Sequence, residues 1–282
     1  MGFNMVFIRF PEGKAKAFTM SYDDGVKADV QLIEIMRKNG LKGTFNINSG
    51  SYAPEGTEDI PRKQIPRMTK AQCMKTFKGD DIEVAVHGLI HAYPAQLPAD
   101  KQTYEFMEDR RRLEEQFGNI VKGCAYAFGQ YDNNVIETLR RCGIKYARTV
   151  ESTRSFELPT NWLTLKPTCH HNDPSLMKLA DNFLTIAPKR CPQMFYLWGH
   201  SYEFDSNNNW NVIEEFAEKI GGHDDVWYAT NIEICNYVEA FYRLEFTLDE
   251  SKVYNPNCIS VWIKPGEDKE TVEIKPGEWV NL

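Results

Sequence analysis

KAFTMSYDDGVKADVQLIEIMRKNGLKGTFNIN, residues 16–48, sets the fold. Lys16 to Tyr22 is a short extended run, and two aspartates and a glycine follow it. Val26 to Asn39 then changes period: Leu32, Ile33, Ile35 and Met36 fall on one helical face, basic residues close the last turn and Gly40 stops it. Gly43 to Asn48 is extended again. Strand, helix, strand within some thirty residues is a βα unit, and such units imply a parallel sheet.

Working outward, the unit repeats. Extended character returns at Ile82 to Val86, Val121 to Ala127, Ile144 to Thr149, Gln193 to Trp198 and Val226 to Thr230. Helical patterns separate these runs at Thr69 to Phe77, Asp100 to Phe117, Asn133 to Cys142, Pro174 to Ala187 and Asn211 to Ile220, and one more follows at Ile232 to Tyr242. This succession predicts an α/β fold, a (β/α) barrel that is distorted or incomplete with seven strands, over residues 1–244. Tyr52 to Arg67 carries Pro54, Pro61, Pro66 and Gly56 without apolar periodicity and is expected to be a long surface loop rimming the site. From Glu245 the pattern becomes short alternating runs broken by Asn-Pro and Pro-Gly turns, so 245–282 is expected to be a small β appendage packed on the barrel.

Composition narrows the partners. Apolar residues are 42% and charged residues 26% of 282, ordinary for a folded globular chain, and the formal net charge is −7. The longest basic run, Arg110-Arg111-Arg112, sits beside Glu114 and Glu115 on a helical pattern, which argues against nucleic acid as a partner. No apolar stretch approaches the ~20 residues of a membrane helix. The seven cysteines stand singly, mostly in apolar patterns, and read as reduced thiols. The start, MGFNMVFIRF, has neither a basic region nor a signal-length apolar run, so a cytoplasmic location is the expectation.

Reactive residues recur just past the strand ends, the face on which barrels build their sites. Asp23 and Asp24 follow the first strand; His87 and His91 follow Val84-Ala85-Val86; Phe128-Gly129 and His200 end two later strands. On a helical turn the four-residue spacing of His87 and His91 brings both imidazoles to one face, where a carboxylate completes a two-histidine, one-carboxylate set for a divalent ion. Such an ion polarises a carbonyl and acidifies water, which suits hydrolysis. Adjacent aspartates divide the labour, one binding the ion and the other taking a proton, while His200 could protonate a leaving group. Each signal alone is ordinary: two surface histidines, a turn with aspartate and glycine, a histidine at a rim. Their joint placement points to a site.

At these residues the sequence resembles the polysaccharide deacetylase family, also called the NodB homology domain or carbohydrate esterase family 4, over roughly residues 16–243. Thr19-Met20-Ser21-Tyr22-Asp23-Asp24-Gly25 is similar to the family's T-F-D-D-G motif, and His87-Gly88-Leu89-Ile90-His91 to its H-S/T-x-x-H motif, with Gly88 in the hydroxyl position. The resemblance implies Asp23 as base and Asp24, His87 and His91 as metal ligands, the ion most simply Zn2+ with Co2+, Ni2+ or Mn2+ as alternatives. Ala125-Tyr126-Ala127-Phe128-Gly129 keeps only the end of R-x-P-Y/F-G, so the arginine that orients the base is missing or supplied elsewhere, while the Phe128 N–H is left for the oxyanion. Tyr196-Leu197-Trp198-Gly199-His200 resembles the fifth motif, which implies His200 as acid and Leu197 in the acetyl pocket. For the Asp-Trp motif there is only Asn161-Trp162; Glu203, Asp205 or Asp173 are candidates to replace that acid in space. His170-His171-Asn172-Asp173 matches no motif of the family and reads as a polar loop, or as a contact for substrate or a second ion. Trp162 and Tyr202 are expected to stack on substrate, with Trp210 and Trp227 less favoured.

The implied function is a metal-dependent hydrolase removing acetyl groups, by amide or ester cleavage, from an amino sugar, glycan or related small molecule. Two alternatives accompany it: hydrolysis of a non-sugar amide or cyclic imide with the same metal, and a decayed site that binds carbohydrate without turnover. The expected partner is a small-molecule or oligosaccharide substrate; oligomeric state is unknown from the sequence.

Overall fold

The computed structural model describes residues 5–57 and 65–282; part of the expected Tyr52 to Arg67 loop, residues 58–64, lies outside them. The chain opens with a strand absent from the sequence expectation, β1 (Phe7–Arg9), and then β2 (Lys16–Asp23), α1 (Asp29–Lys38), β3 (Gly43–Ile47), α2 (Lys70–Thr76), β4 (Ile82–Val86) and α3 (Ala99–Phe117). It continues through β5 (Gly123–Ala125), α4 (Asn133–Arg141), β6 (Tyr146–Arg148), β7 (Cys169–His170), α5 (Leu176–Thr185), β8 (Gln193–Gly199), α6 (Tyr202–Asn207), α7 (Trp210–Ile220), β9 (Val226–Tyr228) and α8 (Asn231–Tyr242). Thr69 and Thr230 start α2 and α8 as capping boxes, each reciprocated by Gln72 or Glu233 three residues on.

Seven parallel strands form a curled, incomplete barrel in the order β6-β5-β4-β3-β2-β8-β7, and β9 pairs with the first half of β2. The two ends of the curl, β6 and β7, are separated by the long irregular stretch between Arg148 and Cys169, which touches β6 through a bridge from Arg148 to Leu165. No helix among the described residues is long and apolar enough to cross a membrane.

The period-2 alternation of strands explains what the barrel holds. On β2 the even positions Phe18, Met20 and Tyr22 join the main apolar cluster with Leu32, Ile33 and Met36 of α1. The odd positions turn inward: Thr19 Oγ1 donates to Asn231 Oδ1 (2.8 Å), Asn231 Nδ2 to Tyr196 OH (2.7 Å) and Tyr196 OH to Ser21 Oγ (3.0 Å). Lower in the barrel, Thr44 Oγ1 (2.8 Å), Tyr146 OH (2.7 Å) and the Ile232 N–H (2.9 Å) all donate to Glu83, whose carboxyl burial pushes up to about 7. The lower interior is therefore a hydrogen-bonded polar network, and the helices outside it carry most of the apolar packing.

The last segment makes two three-stranded antiparallel sheets from β10 (Glu245–Phe246), β11 (Lys252–Tyr254), β12 (Val261–Lys264), β13 (Val272–Ile274) and β14 (Trp279–Asn281). One of them takes β1 as its edge, paired with β12 from Phe7↔Lys264 to Arg9↔Trp262. Val253, Val261, Ile263 and Ile274 are fully buried in a second cluster with Ile8, Phe10 and the α8 residues Ile234, Cys235 and Val238.

Candidate metal centre

The same alternation delivers the site. Asp23, His87, Arg148 and His200 lie at the ends of β2, β4, β6 and β8 on the inward parity, two residues beyond Ser21, Ala85, Tyr146 and Trp198 respectively. Asp23 sits at their centre. Its Oδ1 accepts from Asn46 Nδ2 (2.8 Å) and its Oδ2 accepts from Arg148 Nη2. Oδ2 also lies 3.8 Å from His87 Nε2 and 3.8 Å from His200 Nε2. Burial alone would raise this carboxyl, but Arg148, then His87, His200 and the Asn46 bond, hold it down at about 2.

Asp24, His87 and His91 bring one ligand atom each within 4.8 Å of one another. His87 Nδ1 is 2.8 Å from the Ala125 carbonyl, which can only accept, so Nδ1 carries the proton and Nε2 keeps its lone pair. That Nε2 is buried without a hydrogen-bond partner. A buried acceptor left open beside a carboxylate and a second imidazole is what a cation would satisfy, and the residues present fit a divalent ion on that ground. His91 is kept neutral, its pKa lowered to about 4 by burial and by neighbouring His87. Arg67 occupies one side of Asp24, with Nη2 on Oδ1 at 2.8 Å and Nη1 on its carbonyl at 2.8 Å.

The helical turn expected for His87 and His91 is absent: the segment is an irregular loop after β4. The rings meet edge to face at 4.7 Å because Gly88 (φ 79) and His91 (φ 57) both take left-handed conformations. Gly88 is thus explained by its backbone, where a side chain would be strained. Asp24 (φ 84) and Phe128 (φ 57) share this feature, so three of the seven described non-glycine residues at positive φ belong to one site. Below the loop, Asp109 of α3 accepts from the N–H groups of Ser49 (2.8 Å) and His87 (3.1 Å), and Asn48 Nδ2 donates to the carbonyls of His87 and Gly88 at 2.7 Å each.

Opposite stands a carboxylate hub. Glu203 Oε1 is 2.9 Å from His200 Nδ1; Oε2 is 3.0 Å from His171 Nε2 and accepts from Asn172 Nδ2 at 2.8 Å. Burial alone would lower the His200 pKa, but the Glu203 bond and then Asp23 and Asp24 outweigh it and raise it. Of the three acids named as replacements for the missing aspartate, Glu203 is the one that contacts His200; Asp173 pairs with Arg154 (2.9 Å) and Asp205 accepts from Trp210 Nε1 (2.8 Å).

The remaining expected residues divide. Phe128 is beside the site, its ring 4.3 Å from His91 and stacked on Tyr93 at 3.8 Å. Tyr202 lies 5.3 Å from His200. Leu197 does not reach the site: it has the outward parity of β8 and is fully buried in the main cluster, while its neighbour Trp198 faces inward, 4.3 Å from the Arg148 guanidinium and 5.8 Å from His200. Trp162 packs on the second cluster, and Trp210 rests on Phe204 at 5.0 Å. Arg148 had no motif to announce it, yet the strand parity it shares with His200 was readable.

Residues 11–147 match the family model described as polysaccharide deacetylase. A Mycobacterium smegmatis protein assigned as a polysaccharide deacetylase superposes with a TM-score of 0.58 at 16% identity, covering 86% of this chain and 96% of its own. A family 4 carbohydrate esterase from Streptomyces lividans, in complex with acetate, gives 0.50 at 13% identity over 77% of this chain and 93% of that one. A Streptococcus pyogenes deacetylase with acetate bound aligns at 21% identity and a TM-score of 0.41, over 47% of this chain, which spans 55% of that protein. At these identities the likeness is one of fold. No curated protein matches the chain by sequence.

Proposed function

We propose, for a chain that belongs through residues 11–147 to the polysaccharide deacetylase family, that it is a metal-dependent hydrolase removing acetyl groups from an amino sugar or a glycan built from it. The observation that carries the reading is the position of Asp23, an ionised carboxylate 3.8 Å from both His87 Nε2 and His200 Nε2, between a group with an open lone pair and a group whose affinity for a proton Glu203 raises.

Asp24, His87 and His91 would hold the ion, Zn2+ by the preference of two imidazoles and a carboxylate. When bound, it supplies a Lewis acid that polarises the acetyl carbonyl and acidifies water. Asp23, oriented by Arg148 and Asn46, takes the proton from the attacking water. The Phe128 N–H donates to the oxygen that becomes negative as the carbonyl carbon turns tetrahedral. His200 carries its Nδ1 proton toward Glu203, which can only accept, and delivers the Nε2 proton to the departing nitrogen or oxygen. Trp198 and Tyr202, rather than Leu197, line the pocket for the acetylated sugar.

The test measures metal content and acetate release from N-acetylglucosamine oligomers for wild type, His87→Ala and Asp23→Asn. The expected result is about one tight equivalent of zinc in wild type, none in His87→Ala, and retained zinc in Asp23→Asn with kcat lowered by roughly 10²–10⁴-fold, the contribution of a general base. Full activity in Asp23→Asn would overturn the mechanism. Zinc binding without acetate release from sugars, other amides or imides would leave a carbohydrate-binding protein.

A further inference from the structure

His170-His171-Asn172 has no part in the mechanism above, yet it converges on the same carboxylate as His200. His170 Nε2 is 3.5 Å, His171 Nε2 3.0 Å and Asn172 Nδ2 2.8 Å from Glu203 Oε2, while His200 Nδ1 is 2.9 Å from Oε1. His170, His200 and Glu203 have ligand atoms within 4.8 Å of one another, and each side chain is 22–23% exposed, so the group is open to solvent.

Two features mark the group as more than a hydrogen-bonded carboxylate. His170 Nε2, at 3.5 Å from Glu203 Oε2, makes no hydrogen bond to it and stands close to the spacing of neighbouring ligands on one ion, since bonds of ~2.0–2.2 Å at tetrahedral to octahedral angles space ligand atoms by roughly 3.0–3.4 Å. Second, His171 is fully buried, and neither of its nitrogens makes a hydrogen bond of proper geometry although Nε2 stands so near Glu203. The chain makes specific room for that ring. It stacks on Tyr22 at 5.7 Å and packs on Phe204 at 4.2 Å, and a Cβ at Gly199 would come within 2.0 Å of its Nδ1.

We propose that His170, His200 and Glu203 form a second, inhibitory site for a divalent d-block cation such as Zn2+. The ion takes the lone pairs of His200 Nδ1 and His170 Nε2 and an oxygen of Glu203; the proton shared by His200 and Glu203 leaves to solvent, and His170 shifts its own proton from Nε2 to Nδ1, which releases the Asn172 N–H now held there at 3.1 Å to water. With Nδ1 on a dication, His200 no longer cycles between imidazole and imidazolium, and the proton donor of the hydrolysis is lost. The inhibition rests on the role assigned to His200 in the proposed function; the binding of a second ion does not.

The experiment titrates metal-free wild type and His170→Ala with Zn2+ by calorimetry and equilibrium dialysis, and follows acetate release across the same zinc range. Wild type should bind a tight equivalent and then a weaker one, with turnover falling at least ten-fold as the second fills. His170→Ala should keep the tight equivalent, which also shows that it folds, lose the weaker one, and change less than two-fold in turnover under excess zinc. A single equivalent in wild type at saturating zinc, or two in His170→Ala, would overturn the site. A second equivalent with undiminished turnover would uphold the site and overturn the acid role of His200. The dialysis result stands even if no acetylated substrate is turned over.

Discussion

Two histidine groups flank one aspartate at the mouth of the barrel, and they are built on opposite principles. On the β4 side, the His87 Nδ1–H donates to a backbone carbonyl and Nε2 is left as a buried, open lone pair. On the β8 side, the His200 Nδ1–H donates to the Glu203 carboxylate, and the ring's affinity for a second proton rises. A neutral partner fixes the tautomer without adding charge, which suits a ligand; an anionic partner favours the imidazolium, which suits an acid. The same residue type thus acquires two chemistries from what lies behind it.

The comparison turns on Asp23, which must stay ionised between the two groups, and Arg148 is the residue that holds it so. Arg148→Gln is expected to have the largest effect, because it strips the shared aspartate of its counter-charge. Without the guanidinium, burial pushes the Asp23 carboxyl upward, so the acidic limb of the kcat/KM profile moves to higher pH. The plateau should fall by on the order of 10²-fold, the lower end of what a general base supplies. Global stability should drop by about 3 kcal/mol because a buried charge loses its partner. Arg148→Lys should restore part of the plateau. An acidic limb that stays in place in Arg148→Gln would show that Asp23 is held by something else.

A smaller change should come from Glu203→Gln, which converts the partner of His200 into a neutral one and makes the β8 group resemble the β4 group. Glu203 raises the His200 pKa, so its loss lets His200 give up its proton at lower pH, and the alkaline limb of the profile moves down. On the alkaline side the loss should be about ten-fold, and toward acidic pH it should nearly vanish. The tight zinc equivalent should remain. A uniform loss at every pH would mean that Glu203 only supports the loop.

How far these groups were legible depends on the kind of signal each carries. The βα succession and the pairs Asp23-Asp24 and His87/His91 are local patterns, and the sequence displays them directly. Arg148 and Glu203 lie away from Ala125 and Asn161 in the sequence; the fold brings Arg148 to Asp23 from β6, and singles out Glu203 of α6 among the three candidate acids as the one that contacts His200. The helical turn assumed for His87 and His91 failed because spacing alone does not reveal the left-handed residues that bend the loop. β1 escaped notice because its pairing partner, β12, lies near the other end of the chain, and no local period encodes it.

Leu197 is the misreading that could have been avoided, and it supports the smallest effect on activity. His200 and Trp198 share a parity on β8, so the leucine between Tyr196 and Trp198 must face the helices, whatever motif it resembles. Leu197→Ala should therefore cost about 2–4 kcal/mol of stability, the scale for emptying a packed core position, while KM for the acetylated sugar changes less than two-fold. Trp198→Leu should do the reverse in kind, raising KM and disturbing the Arg148 guanidinium that lies over its ring. Denaturant melts and steady-state kinetics on the two variants separate the cases. If Leu197→Ala raised KM while Trp198→Leu did not, the pocket would lie on the outer face of β8, and the division of the rim by strand parity would fail with it.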